Sequence, residues 1–157
     1  MRFLTAASLL FLALPSAPVQ QAEPERFTAF AISLGGVTTE AGTAQLEIAI
    51  SRWSDADERD ILLDALERSQ QSLLEALRDR KPAGFIRTST SLAYDLHYAH
   101  QETGPDGRRR IFLATDRPVG YWEMVNQPPS LAYPITVVEL TVDAAGKGEG
   151  TLAVATR

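Results

Sequence analysis

The chain has 157 residues, 15 Lys and Arg against 20 Asp and Glu, and no cysteine. A formal charge of −5 lacks the basic footprint of a general nucleic-acid binder, and the missing cysteine excludes disulfides, thiolate nucleophiles and cysteine-ligated zinc. A composition of 45% hydrophobic and 22% charged residues excludes collagen-like and disordered classes and predicts one globular domain.

Arg2, the 12-residue apolar run Phe3–Leu14, Pro15 and the small or polar residues after it follow the layout of a secretory signal peptide. The run is shorter than the roughly 20 residues that span a bilayer. Processing after Ala22 is expected, which makes residues 1–22 the signal peptide and 23–157 a single α+β domain with 14 basic and 20 acidic residues. No second long apolar run follows, and there is no cysteine to carry a lipid. The expectation is an exported chain, periplasmic or extracellular, with no stable membrane anchor. In an oxidising compartment a cysteine-free domain must be held by packing alone. Its 13 Arg, 2 Lys and single Asn suit a GC-rich bacterial genome.

Residues 26–34 (RFTAFAISL) read as a strand with Phe30, Ile32 and Leu34 on its apolar side, closed by Gly35-Gly36. Residues 44–52 alternate more cleanly. Leu46, Ile48 and Ile50 face one way, and Gln45, Glu47 and Ser51 the other, which marks a half-buried antiparallel strand. Ser54-Asp55-Ala56-Asp57 then fits a helix N-cap with acids in the first turn. Leu62, Leu66, Leu73 and Leu77 fall within about 60° of one another at about 100° per residue and form one stripe. Residues 67–72 carry no apolar side chain, so either one long helix or two short ones, 55–68 and 70–80, fit the pattern. Pro82 and Gly84 end this region.

Strands return at 84–88 (GFIRT), 92–101 (LAYDLHYAHQ) and 109–116, the last two joined by the turn TGPDG at 103–107. Residues 134–143 and 150–156 form a final hairpin around AAGKGEG. Between Asp116 and Pro134, residues 117–133 (RPVGYWEMVNQPPSLAY) are too apolar for disorder. They also exceed the roughly 12–15 residues of an ordinary connection. A short helical turn is expected around Tyr121–Val125.

Few residues offer chemistry. His97 and His100, three apart on a strand, face opposite sides, which excludes a shared metal ion. A 92–101/109–116 hairpin with Tyr98 opposite Leu113 places Asp95, His97 and Asp116 on one face. A histidine between carboxylates is one ingredient of acid–base catalysis. A solvated sheet face has the same composition, and neither a nucleophile nor a G-x-S-x-G elbow accompanies it. No catalytic residue is therefore assigned, with His97, Asp95 and Asp116 as the candidates. Arg117 and Glu123 pair in the expected reading and pin the long segment. Arg117, Tyr121, Trp122, Glu123 and Tyr133 form the expected partner-binding set, since exposed Tyr, Trp and Arg are common binding anchors. Trp53 reads as a core or cap residue. Gly146–Gly150 (GKGEG) lacks phosphate-loop spacing and reads as a turn. Arg108-Arg109-Arg110 reads as a solubilising spot.

Taken together, SRWS (51–54), GFIRTS (84–89), YDLHYA (94–99), LATDRPVGYWE (113–123) and GKGEG (146–150) resemble a family of small uncharacterised secreted bacterial proteins. The resemblance covers most of residues 26–157. It implies export and a single domain, and it transfers no activity. The expected fold is α+β, with about seven mostly antiparallel strands and one long or two short helices packed on one face. The expected function is a non-catalytic binding or interaction module for a protein or small ligand of the cell envelope. It has no cofactor, no metal and no nucleic-acid partner. The alternative is a small hydrolase-like enzyme using His97 with Asp95 or Asp116.

Overall fold

The computed structural model describes residues 23–33, 42–89, 92–117 and 135–154. Four antiparallel strands, β1 (Glu25–Ser33), β2 (Gly42–Ile50), β3 (Gly84–Thr88) and β4 (Tyr94–Leu96), form a first sheet in chain order. Four more, β5 (Tyr98–Thr103), β6 (Arg109–Thr115), β7 (Thr136–Val142) and β8 (Gly148–Val154), form a second, again in chain order. Two helices, α1 (Ala56–Arg68) and α2 (Gln70–Arg78), separate β2 from β3. The class is α+β, as the sequence pattern predicts, with eight strands among the described residues against about seven expected.

The extra strand comes from a break at His97. Leu96 and Ala99 are both fully buried although they lie three positions apart. Strict alternation would put them on opposite faces. The chain therefore changes phase between them, and the ribbon passes from the first sheet to the second. The predicted continuous strand 92–101 is corrected accordingly.

The predicted register is corrected too. Tyr98 stands opposite Ala114, and Ala99 opposite Leu113. The hairpin loop holds five residues, 104–108, so the pairing shifts by one. The amide of Gly104 donates to the Arg108 carbonyl (2.8 Å), and the Asp106 carboxylate accepts from the Arg108 amide (3.1 Å). Gly107, at φ +77°, supplies the left-handed step that a side chain would resist.

The inner faces of the two sheets share one apolar cluster. It joins Leu46, Ile48, Ile50, Ile86 and Leu96 of the first sheet to Ile111, Leu113, Val138 and Leu140 of the second. On β2 the alternation reads out as the sequence predicts. On β1 it does not. Phe27, Ala29 and Ala31 pack on the core, while Phe30 and Ile32 lie on the outer face. Both faces of β1 are apolar, so pairing decides the matter: Phe27 stands opposite Ile48 and Ala29 opposite Leu46, and cross-strand partners share a face.

The helices are separate, breaking at Ser69. Its amide closes α1 by donating to Ala65 O (3.1 Å), and its hydroxyl opens α2 by accepting from the Ser72 amide (3.0 Å). Asp55 is the N-cap of α1 and accepts from the Glu58 amide (2.8 Å). The single leucine stripe is corrected: Leu66 is exposed, and the buried positions are Leu62, Ala65, Leu74 and Leu77. A projection that treats 55–80 as one helix fails because the break resets the phase. The two helices pack through Leu62, Leu74 and Leu77 onto Ile135, Tyr98 and Ala114. They thus cover one end of the second sheet's outer face. Among the described residues, no helix is long and apolar enough to cross a membrane.

Candidate functional site

Arg117 and Ile135, the described residues that flank 118–134, lie at the helix-covered end of the second sheet. Residues on both sides of that segment are fixed. Thr115 pairs with Thr136 across β6 and β7, and both are fully buried. The Thr136 hydroxyl donates to the Arg117 carbonyl (2.8 Å). The root of the segment is therefore stapled to the sheet.

Beside this root, Asp116 gathers three chain regions. Its Oδ2 accepts from Arg78 Nε at the end of α2 (2.9 Å), and its Oδ1 faces His97 Nε2 at the sheet-to-sheet bend (3.5 Å). Arg117 Nε lies 4.0 Å from the same Oδ1. The other ring nitrogen of His97, Nδ1, is 3.3 Å from the Arg80 carbonyl, and the His97 amide donates to Ala114 O (2.9 Å). His97 and Asp116 are largely enclosed, whereas Arg78 and Arg117 expose half or more of their side chains. The result is a buried anchor under an exposed pair of cations.

Of the candidate catalytic residues, the structure brings His97 and Asp116 together and leaves Asp95 apart. Asp95 is exposed, pairs across the first sheet with Phe85, and makes no ion pair to His97. The phase change at His97 separates two carboxylates that a continuous strand would have set side by side. A base needs a nitrogen free to take a proton. Both nitrogens of His97 face protein acceptors, and among the described residues no hydroxyl hydrogen-bonds to the ring. No group of three or more His, Asp or Glu side chains among the described residues is placed to hold a metal ion. In the partner-binding set, Arg117 is placed and exposed; Tyr121, Trp122, Glu123 and Tyr133, the Arg117–Glu123 pair and the helical turn at 121–125 lie outside the described residues.

Sequence reasoning missed Arg78, Thr136 and a second clamp around Arg52. Arg52 makes a two-pronged contact with Glu58 in the first turn of α1 (2.7 and 3.0 Å). Its Nε also donates to the Pro82 carbonyl (3.3 Å), so it ties α1 to the chain entering β3. The Arg52 guanidinium holds the Glu58 carboxyl below its ordinary range, against the opposing effect of burial. Ser54, read as part of the cap, is buried, and its hydroxyl accepts from the Ala99 amide (3.2 Å). Trp53 packs against the inter-sheet core. The three arginines at 108–110 are ion-paired: Arg108 with Glu149, Arg109 with Glu25, and Arg110 with Glu102 and Glu139. GKGEG is a hairpin turn that enters β8, with Asp143 Oδ1 accepting from the Ala145 and Lys147 amides and Gly146 at φ +76°.

No protein-family model, no curated protein and no solved structure matches the chain.

Proposed function

We propose that the protein is an exported, non-catalytic binding module whose contact surface is the 117–133 segment and the Arg78–Arg117 rim beside it. The observation that carries this reading is the stapled root. Thr136 fixes the Arg117 carbonyl, and Asp116 is tied to α2 through Arg78. Contact residues on a segment rooted in a rigid scaffold lose less freedom on binding, so more of their contact energy appears as affinity. Tyr121, Trp122 and Tyr133 supply the aromatic content that binding surfaces favour. Export rests on the signal-peptide layout of residues 1–22. The hydrolase alternative is less favoured, because the two ring nitrogens of His97 are both engaged.

The test compares the parent chain with Trp122→Ala and Arg117→Ala in capture from a cell-envelope extract. Both variants should keep the parent's circular dichroism and lose the captured partner. Capture unchanged in both would overturn the assignment of this surface.

A further inference from the structure

Among the described residues four strands lie at sheet edges: β1 and β4 in the first sheet, β5 and β8 in the second. An open edge presents a row of unpaired N–H and C=O groups, and proteins usually shorten it, charge it or cover it. Three of these edges are protected. β4 is three residues long. β5 is capped at Ala99, whose carbonyl accepts from the Ser54 amide (2.7 Å) and whose amide donates to the Ser54 hydroxyl (3.2 Å). β8 begins Gly-Glu-Gly, with the Glu149 side chain 84% exposed. β1 is neither short nor capped among the described residues, and its charges, Glu25 and Arg26, lie at its first two positions. It runs nine residues without Pro, Gly or Lys, and its outer face carries Phe30 and Ile32 at 77% and 70% exposure.

We infer that β1 is a self-association surface, at which two copies of the chain pair β1 with β1 antiparallel about a two-fold axis near Ala29. The first sheets of the two copies then join into one eight-stranded sheet. The sequence ERFTAFAIS is complementary to itself in this register. Phe27 of one copy stands opposite Ala31 of the second on the inner face. On the outer face Phe30 stands opposite Thr28 of the second copy, an aromatic–β-branched pair that favours sheet pairing. Ile32 stands opposite Arg26 of the second copy, whose aliphatic stem covers apolar surface. Charge permits the arrangement. Arg26 is the one charged residue on the outer face of β1, and the axis sets the two copies of it six residues apart, about 20 Å along the strand. Because one patch meets itself, the contact closes at two copies and does not propagate.

Sedimentation velocity and amide hydrogen exchange on the purified chain test this. The parent should sediment as a dimer that dissociates on dilution, with β1 amides losing protection as it does while β6 and β7 amides keep theirs. The double variant Phe30→Lys/Ile32→Lys replaces exposed side chains and should sediment as a monomer with unchanged circular dichroism. Thr151→Lys, on the β8 edge, should remain dimeric. A parent that is monomeric at all concentrations would overturn the inference. So would a dimer that survives the double substitution, or β1 exchange that is independent of concentration.

Discussion

The two apolar clusters of this molecule are built on different terms. The inter-sheet cluster has twelve buried residues among the described ones, drawn from both sheets and the chain entering β3, and the Arg109–Glu25 ion pair links the two sheets. The helix-side cluster has four, Leu62, Leu74, Leu77 and Ile135, and relies on polar clamps at its margins. Arg52–Glu58 fastens the first turn of α1, and Arg78–Asp116 fastens the end of α2. Hydrophobic burial is insensitive to pH, whereas a carboxylate clamp holds only while ionised. The sandwich and the helical pair should therefore respond differently to acid, to salt and to local opening.

The sharpest way to break the sandwich is Ile86→Ala. Ile86 is fully buried at the centre of the first sheet's inner face. The substitution should cost about 2–5 kcal/mol and lower the urea midpoint for the whole domain. An effect confined to the helices would contradict the shared core. Next in size, Asp116→Asn removes the charge that joins α2, the bend and the segment root. A loss of about 1–3 kcal/mol is expected. Amide exchange should accelerate first in α2 and leave β2 and β3 unchanged. Uniform acceleration would show that the helical pair does not open on its own.

The smallest expected effect separates the clusters by pH. The Glu58 carboxyl is held below its ordinary range by Arg52. Its contribution is fully present above the unfolded carboxylate value and is lost as pH falls through the lowered folded value. Glu58→Gln should cost about 1 kcal/mol near neutrality. The difference from the parent should shrink to nothing in acid. A gap that stays constant with pH would place the effect in packing and not in the ion pair.

How far the sequence reveals these features depends on whether one period governs each segment. On β2 a single period of two does, and Leu46, Ile48 and Ile50 are all buried as the pattern requires. The turn and strand boundaries around Gly84–Thr88 follow for the same reason. Between Tyr94 and Gln101 the written alternation continues unbroken through a point where the backbone changes phase. No residue there announces the bend, and it is the tertiary need to bury both Leu96 and Ala99 that sets it. The helices repeat the lesson. Residues 67–72 signal a break by lacking apolar side chains, but the rotation of α2 relative to α1 is set by packing onto Tyr98 and Ala114. On β1, apolar residues occupy both faces, so composition does not select the inner one. The His97–Asp116 half of the candidate site was visible because it joins the ends of neighbouring strands. Arg78 was not, because it comes from a helix 38 residues earlier.

The strands of each sheet are arranged in chain order, and the sheets themselves follow one another along the chain. Every ladder pairing among the described residues thus joins consecutive strands, and two steps enclose a long insertion: β2–β3, which holds the two helices, and β6–β7, which holds residues 116–135. At the other steps the loops closed during folding are short, which favours fast assembly. The topology also sets an order. A chain released from its N-terminus has all partners for its first sheet once Leu96 is free, and His97 then becomes the point from which the second half builds onto a finished template.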